Sequence, residues 1–295
     1  MGLRGGAPCD REVTLEGLEL TDEQVADLFG DEWIARWPLD GIEVSHIRPV
    51  DVYFEKDDRG TTRFVPPLLA QDIANDLRLV RGPGGGLWYD AGGVFRDGAE
   101  NLVADCVRHV LGPEYRQHRL AEVLSWCKTL PIAITASPPI ENLLNVANGV
   151  LELDTLTLRP VRQDERFIYR IPVAWRPDAM CPSIEAFVRE VVPPDCVSLM
   201  TEIMGMCLLP TSRYRRAVML LGAGSNGKSV LLRVIKSLLG SDNISSVTLQ
   251  ALSEDRFAKA QLFGKLANIA GDLDAKPVES SGAFKMLTGE DTITA

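Results

Sequence analysis

The chain has 295 residues, 45% of them apolar and 24% charged, an ordinary globular composition with length for two domains. Its net charge of −10 argues against a free-standing basic nucleic-acid coat, so any DNA contact must come from a local basic patch or a ring of subunits. Six scattered cysteines without a C-x-x-C pair argue against a zinc site or disulfide framework and for reduced, buried thiols. No secretory signal is read at the N-terminus, and no stretch approaches the roughly 20 apolar residues of a membrane span. The expectation is a soluble, cytoplasmic protein.

Thr21 and Gln24 ahead of Val25, Leu28 and Phe29 predict a capping box and a short helix. Residues 41–55 read as strand. From Pro66, Leu69, Ile73 and Leu77 fall at helical spacing. Gly82-Pro83-Gly84-Gly85-Gly86 reads as a loop, since it lacks the lysine and helix of a phosphate site. Residues 87–98 predict two short strands around a glycine turn. Residues 99–113 predict an amphipathic helix with Leu102, Cys106, Val110 and Leu111 on one face, stopped by Gly112-Pro113. A second helix is expected from about His118 to Thr129. Asn148-Gly149 predicts a hairpin turn, and turn chemistry accounts for Asn145 and Asn148 better than a catalytic role. Residues 175–183 read as a linker. Two helices follow, with Met200, Met204 and Met206 as core filler.

The chemistry lies further on. Residues 217–221, Ala-Val-Met-Leu-Leu, predict a strand buried on both faces of a parallel sheet. Next comes Gly222-Ala223-Gly224-Ser225-Asn226-Gly227-Lys228-Ser229, which satisfies G-x-x-x-x-G-K-[ST]. Leu231, Val234, Ile235, Leu238 and Leu239 then share one helical face, and Gly240 is a natural stop. Glycines let backbone N–H groups converge on an anion, and a helix start adds donors and a positive dipole end. Lys228 is placed to reach the β- and γ-phosphates of ATP, and Ser229 to ligate Mg²⁺. A buried strand over 266–270 would place Asp272 just past its end as a second Mg²⁺ ligand and catalytic acid, with Asp274 as the alternative.

These segments, with Lys285, Leu287, Thr288, Gly289 and Asp291 downstream, resemble the superfamily 3 helicase module of phage and plasmid primase-helicases, the group of the poxvirus primase-helicase. Asn226 ahead of Gly227-Lys228-Ser229 is typical of that group; Glu290, where family patterns often have glycine, departs from it. The resemblance covers roughly residues 62–295. It implies an α/β fold: an AAA+-like P-loop NTPase with a parallel sheet, incomplete here, preceded by an α+β N-terminal region. The expected division is an unassigned region 1–61, an α+β region 62–176, a helical segment 177–210 and a partial ATPase core 211–295. It further implies ATP and Mg²⁺ as ligands, movement along single-stranded DNA, a hexameric ring and primase or other replication proteins as partners. It places the chain in a bacterial host's cytoplasm if phage-encoded. Lys285 would lie near a DNA-facing hairpin; a solvated helix lysine is the other reading. The family's sensor asparagine and arginine finger are expected beyond Ala295, so the chain reads as truncated and its turnover as impaired. Arg213, Arg215 and Arg216 do not match the finger's position and read as surface cations. A P-loop small-molecule kinase and a non-catalytic ATP-binding assembly module stay open as alternatives.

Overall fold

The computed structural model describes residues 37–39, 42–44, 47–56, 58–134, 142–211, 214, 216–222 and 226–271. The helix expected after Thr21 lies outside them. So do Ala223, Gly224, Ser225, Asp272, Asp274 and the whole 285–291 stretch.

Two short hairpins come first: β1 (Trp37–Leu39) with β2 (Ile42–Val44), and β3 (Phe54–Lys56) with β4 (Thr62–Phe64), both antiparallel. A 3₁₀ turn, Val50–Tyr53, interrupts what the sequence presents as one strand. Helix α1 (Pro66–Asp76) begins with prolines in its first turn, where a missing N–H costs nothing. Its Leu69, Ala70, Ile73 and Ala74 are buried, and Leu77 follows them inward. Strands β5 (Val80–Arg81), β6 (Leu87–Asp90) and β7 (Phe95–Asp97) form an antiparallel sheet, with the 82–86 glycines turning between the first two. Helix α2 (Ala99–Leu111) and helix α3 (Gln117–Cys127) complete the first core. There Tyr53, Ile73, Leu87, Val103, Val107 and Val123 are fully or nearly fully buried.

A second core surrounds the sheet β10 (Thr157–Arg159), β9 (Gly149–Glu152), β8 (Leu143–Val146), again antiparallel. Phe167, Tyr169 and Ile171, alternate residues of an extended segment, face this core. The predicted hairpin turn at Asn148 forms. Asn148 exchanges two side-chain hydrogen bonds with the Trp175 backbone, Nδ2 to O at 3.0 Å and N to Oδ1 at 2.9 Å. Asn145 is instead a strand residue, fully buried, and its Nδ2 donates to the carbonyls of Gly93 and Tyr169. Both asparagines are structural, though only one sits in a turn.

The third core joins α4 (Pro182–Val191), α5 (Val197–Leu208) and α6 (Lys228–Leu239). Val188, Met200, Leu231, Ile235, Leu239 and Ile269 are its buried members. The sequence stripe on α6 is met in part: Leu231, Ile235 and Leu239 face inward, four residues apart, while Val234 and Leu238 are only half-buried. Met200 and Met204 pack here as filler. Past α6 come β11 (Ile244–Ser245), the short helices α7 (Leu249–Glu254) and α8 (Arg256–Ala260), and β12 (Ala267–Asn268). Strand β11 pairs with β12 in parallel, Ile244 opposite Ala267.

The fold class needs correcting here. The chain is mixed α and β with small sheets, and four of its five sheets are antiparallel among the described residues. Residues 217–221 form no strand and lie largely in solvent; Leu221 is 82% exposed. A strand buried on both faces needs a ladder neighbour and cover on each side. Among the described residues no strand pairs with 217–221, and only Leu220 reaches a core. The strand expected over 266–270 shrinks to Ala267–Asn268.

Two of the described cysteines, Cys106 and Cys127, are buried, while Cys181 is exposed; none is in a disulfide. Among the described residues no helix is long and apolar enough to cross a membrane.

Candidate nucleotide-binding site

Gly227 sets the geometry. It adopts φ +83°, a left-handed conformation that glycine enters without strain, and it caps the start of α6. The turn it makes lets Lys228 be the first helical residue. Leu231 N donates to Gly227 O at 2.9 Å, the first hydrogen bond of the helix. The N–H groups of a helix's first turn have no intrahelical acceptor, and the N-cap residue Gly227 has no side chain to cap them. No acidic residue stands in that turn. The twelve-residue helix therefore presents the positive end of its dipole without an acidic residue of its own first turn to offset it.

The Lys228 side chain folds back over the loop. Its Nζ donates to Gly222 O at 2.8 Å and to Asn226 Oδ1 at 2.7 Å. The ammonium thereby joins the first residue of the glycine-rich segment to the last turn before the helix. A Cβ on Gly222 would meet Asn226 Nδ2 at 2.0 Å, so the Asn226 amide that holds Lys228 would have to turn aside. Gly227 is more tightly confined: a Cβ there would lie 2.6 Å from Val191 Cγ1 and 3.1 Å from Val191 Cβ. The last turn of α4 is thus packed against the loop, with Phe187 beside Val191.

Of the expected site residues, Gly222, Asn226, Gly227 and Lys228 come together at this point. Ser229 lies exposed on the first turn. Ala223, Gly224, Ser225, Asp272 and Lys285 fall outside the described residues. The segment leading towards Asp272 does reach the site's core, because Ile269 packs with Leu231, Ile235 and Leu239. Arg216 is exposed, as a surface cation would be, while Arg213 and Arg215 are not described.

Sequence reasoning missed Val191 and Phe187. The amphipathic pattern of 182–191 announces a helix, but nothing in it names the glycine it packs against. It missed Asn243 as well. That residue is 2% exposed, and its Nδ2 donates at 2.6 Å to both Leu239 O and Arg170 O. An asparagine three residues past a C-terminal glycine reads as ordinary turn chemistry.

Two family models match the chain. Residues 46–193 match the family described as D5 N terminal like. Residues 220–295, which begin just ahead of the glycine-rich loop, match a family of unknown function, DUF5906. The first match spans half of the 295 residues, and the chain belongs to the D5 N terminal like family, a family of phage and viral primase-helicases. It is also 26% identical over 166 residues to a protein of Acanthamoeba polyphaga mimivirus named "Putative helicase L207/L206". That alignment takes in 52% of this chain and 17% of the mimivirus protein.

Proposed function

We propose that the chain is the ATP-binding part of a DNA replication protein that couples ATP hydrolysis to movement along single-stranded DNA. The observation that carries this reading is the contact of the Lys228 ammonium with Gly222 O and Asn226 Oδ1 at the start of α6. Left-handed Gly227, the start of a twelve-residue helix and an inward-folded lysine are what a triphosphate cradle requires. Lys228 holds the β- and γ-phosphates, exchanging Gly222 O and Asn226 Oδ1 for phosphate oxygens. Ser229 and Asp272 would hold Mg²⁺, which would supply positive charge to offset that of the phosphates. The helicase name of the mimivirus relative supports the direction of the reading. The activity, a hexameric ring, the replication partners and a DNA contact at Lys285 are part of the same proposal.

Titration of ATP–Mg²⁺ into the wild-type chain and Lys228→Ala, followed by calorimetry, tests it. Loss of a charge-assisted contact worth about 3 kcal/mol weakens binding about 100-fold. Undiminished affinity in Lys228→Ala overturns the site. Sedimentation with and without ATP and single-stranded DNA tests the ring: a monomer under every condition counts against it.

A further inference from the structure

The far end of α6 is fastened to the region that precedes it. Gly240, at φ +81°, ends the helix, and its N–H returns to Lys236 O. A Cβ on Gly240 would sit 2.9 Å from Pro172 Cγ, so glycine admits the close approach of the 166–173 segment. Asn243 then uses both protons of its amide. One goes to Leu239 O, a carbonyl that the helix end leaves unpaired; the other goes to Arg170 O.

The connection continues on the other side. Ile171 N donates to Asn145 O at 2.9 Å, and Asn145 Nδ2 donates to Tyr169 O and to Gly93 O. Gly93 belongs to the turn between β6 and β7. A continuous run of buried or half-buried hydrogen bonds thus leads from the C-terminus of α6 through residues 169–171 to the sheet of the first core. Apolar contact parallels it: Trp88 and Phe263 meet edge to face at 6.0 Å, with Ile168 packed beside them. Arg96 and Asp242 add an ion pair at 2.9 Å on the exposed rim.

Helix α6 therefore has Lys228 at one end and this seam at the other, about 18 Å apart along a rigid element. We infer that Asn243 is a positioning residue that couples occupancy of the phosphate site to residues 169–173 of the preceding region. The inference rests on the proposed phosphate site. The coupling is mechanical: a shift of α6 along or about its axis cannot occur without breaking, or carrying along, the two hydrogen bonds of Asn243.

Hydrogen–deuterium exchange of the full chain, with and without ATP–Mg²⁺, decides the matter. Wild type, Asn243→Asp and Arg96→Ala are compared. Aspartate keeps the size of asparagine but donates nothing to either carbonyl. Arg96→Ala removes only the rim ion pair. In wild type and Arg96→Ala, ATP is expected to slow exchange at 227–232 and to change it several-fold at 169–173. In Asn243→Asp the first response stays and the second disappears, which a purely structural role would not produce. A response at 169–173 that survives in Asn243→Asp overturns the inference, as does protection of 227–232 in wild type with none at 169–173. Should Asn243→Asp fail to fold, the wild-type comparison decides alone. No response at 227–232 means that the phosphate-site reading has failed, and the coupling falls with it.

Discussion

Arg159 and Glu165 form a two-pronged ion pair: Nη2 donates to Oε1 at 2.5 Å and Nη1 to Oε2 at 3.0 Å. The same guanidinium reaches Glu152 Oε1 through Nε at 2.6 Å, and Arg162 N donates to Glu165 Oε2. Burial disfavours the charged form of Glu165, yet the Arg159 hydrogen bonds and the Arg162 amide outweigh it and hold the carboxyl below its ordinary value. The cluster pins the loop after β10 onto the second core. Arg159→Met leaves a nearly buried carboxylate without its main partner and should cost about 2 kcal/mol in denaturant titrations. Because the folded pKa is depressed, the stabilisation is complete above the unfolded value near about 4.3. It is lost as pH falls through the lower folded value. Wild type should therefore lose stability in acid more steeply than Arg159→Met.

At Gly227, two independent costs meet. Alanine there takes a left-handed conformation at about 1–2 kcal/mol, and its Cβ runs into Val191. Gly227→Ala should weaken ATP binding and lower the melting temperature. Adding Val191→Ala removes the collision but not the backbone strain, so the double variant should recover part of the loss. Additive effects in a double-mutant cycle would show that α4 does not press on the loop.

Leu239 and Leu221 give opposite expectations although both are leucines flanking the glycine-rich loop. Leu239 is fully buried beside Gly240, and Leu239→Ala should cost about 3 kcal/mol. Leu221 is exposed, and Leu221→Ser should change stability by less than about 0.5 kcal/mol. A large loss from Leu221→Ser would mean that residues 217–221 are covered in solution.

Thiol labelling separates the cysteines by burial. Burial pushes Cys106 up to about 12 and Cys127 to about 11, so neither presents a thiolate near neutral pH. Among the described cysteines, mass mapping after brief treatment with an alkylating reagent should find Cys181 modified first. Cys106 and Cys127 should label only in denaturant. Early modification of Cys106 would contradict the packing of α2.

Much of this arrangement was legible in the residues. Proline at the start of α1, Gly112 after α2, Asn148-Gly149 leading from the β8–β9 turn into β9, and the four-residue spacing of Leu231, Ile235 and Leu239 are local signals. Each acts through backbone dihedrals or a single helical face, so each is written within a dozen residues. Residues 217–221 show the limit. Their apolarity was visible, but a strand exists only with a ladder partner, and no local pattern says where a partner stands.

The loop itself divides the same way. By itself the sequence determined a glycine-rich turn followed by Lys228 and an amphipathic helix, because positive φ and helical periodicity are properties of neighbouring residues. Tertiary structure decided that Val191 closes on Gly227, that Lys228 turns back to Gly222 and Asn226, and that Asn243 ties the helix to Arg170. Those contacts join residues as many as 73 positions apart, and their geometry depends on how separate cores pack.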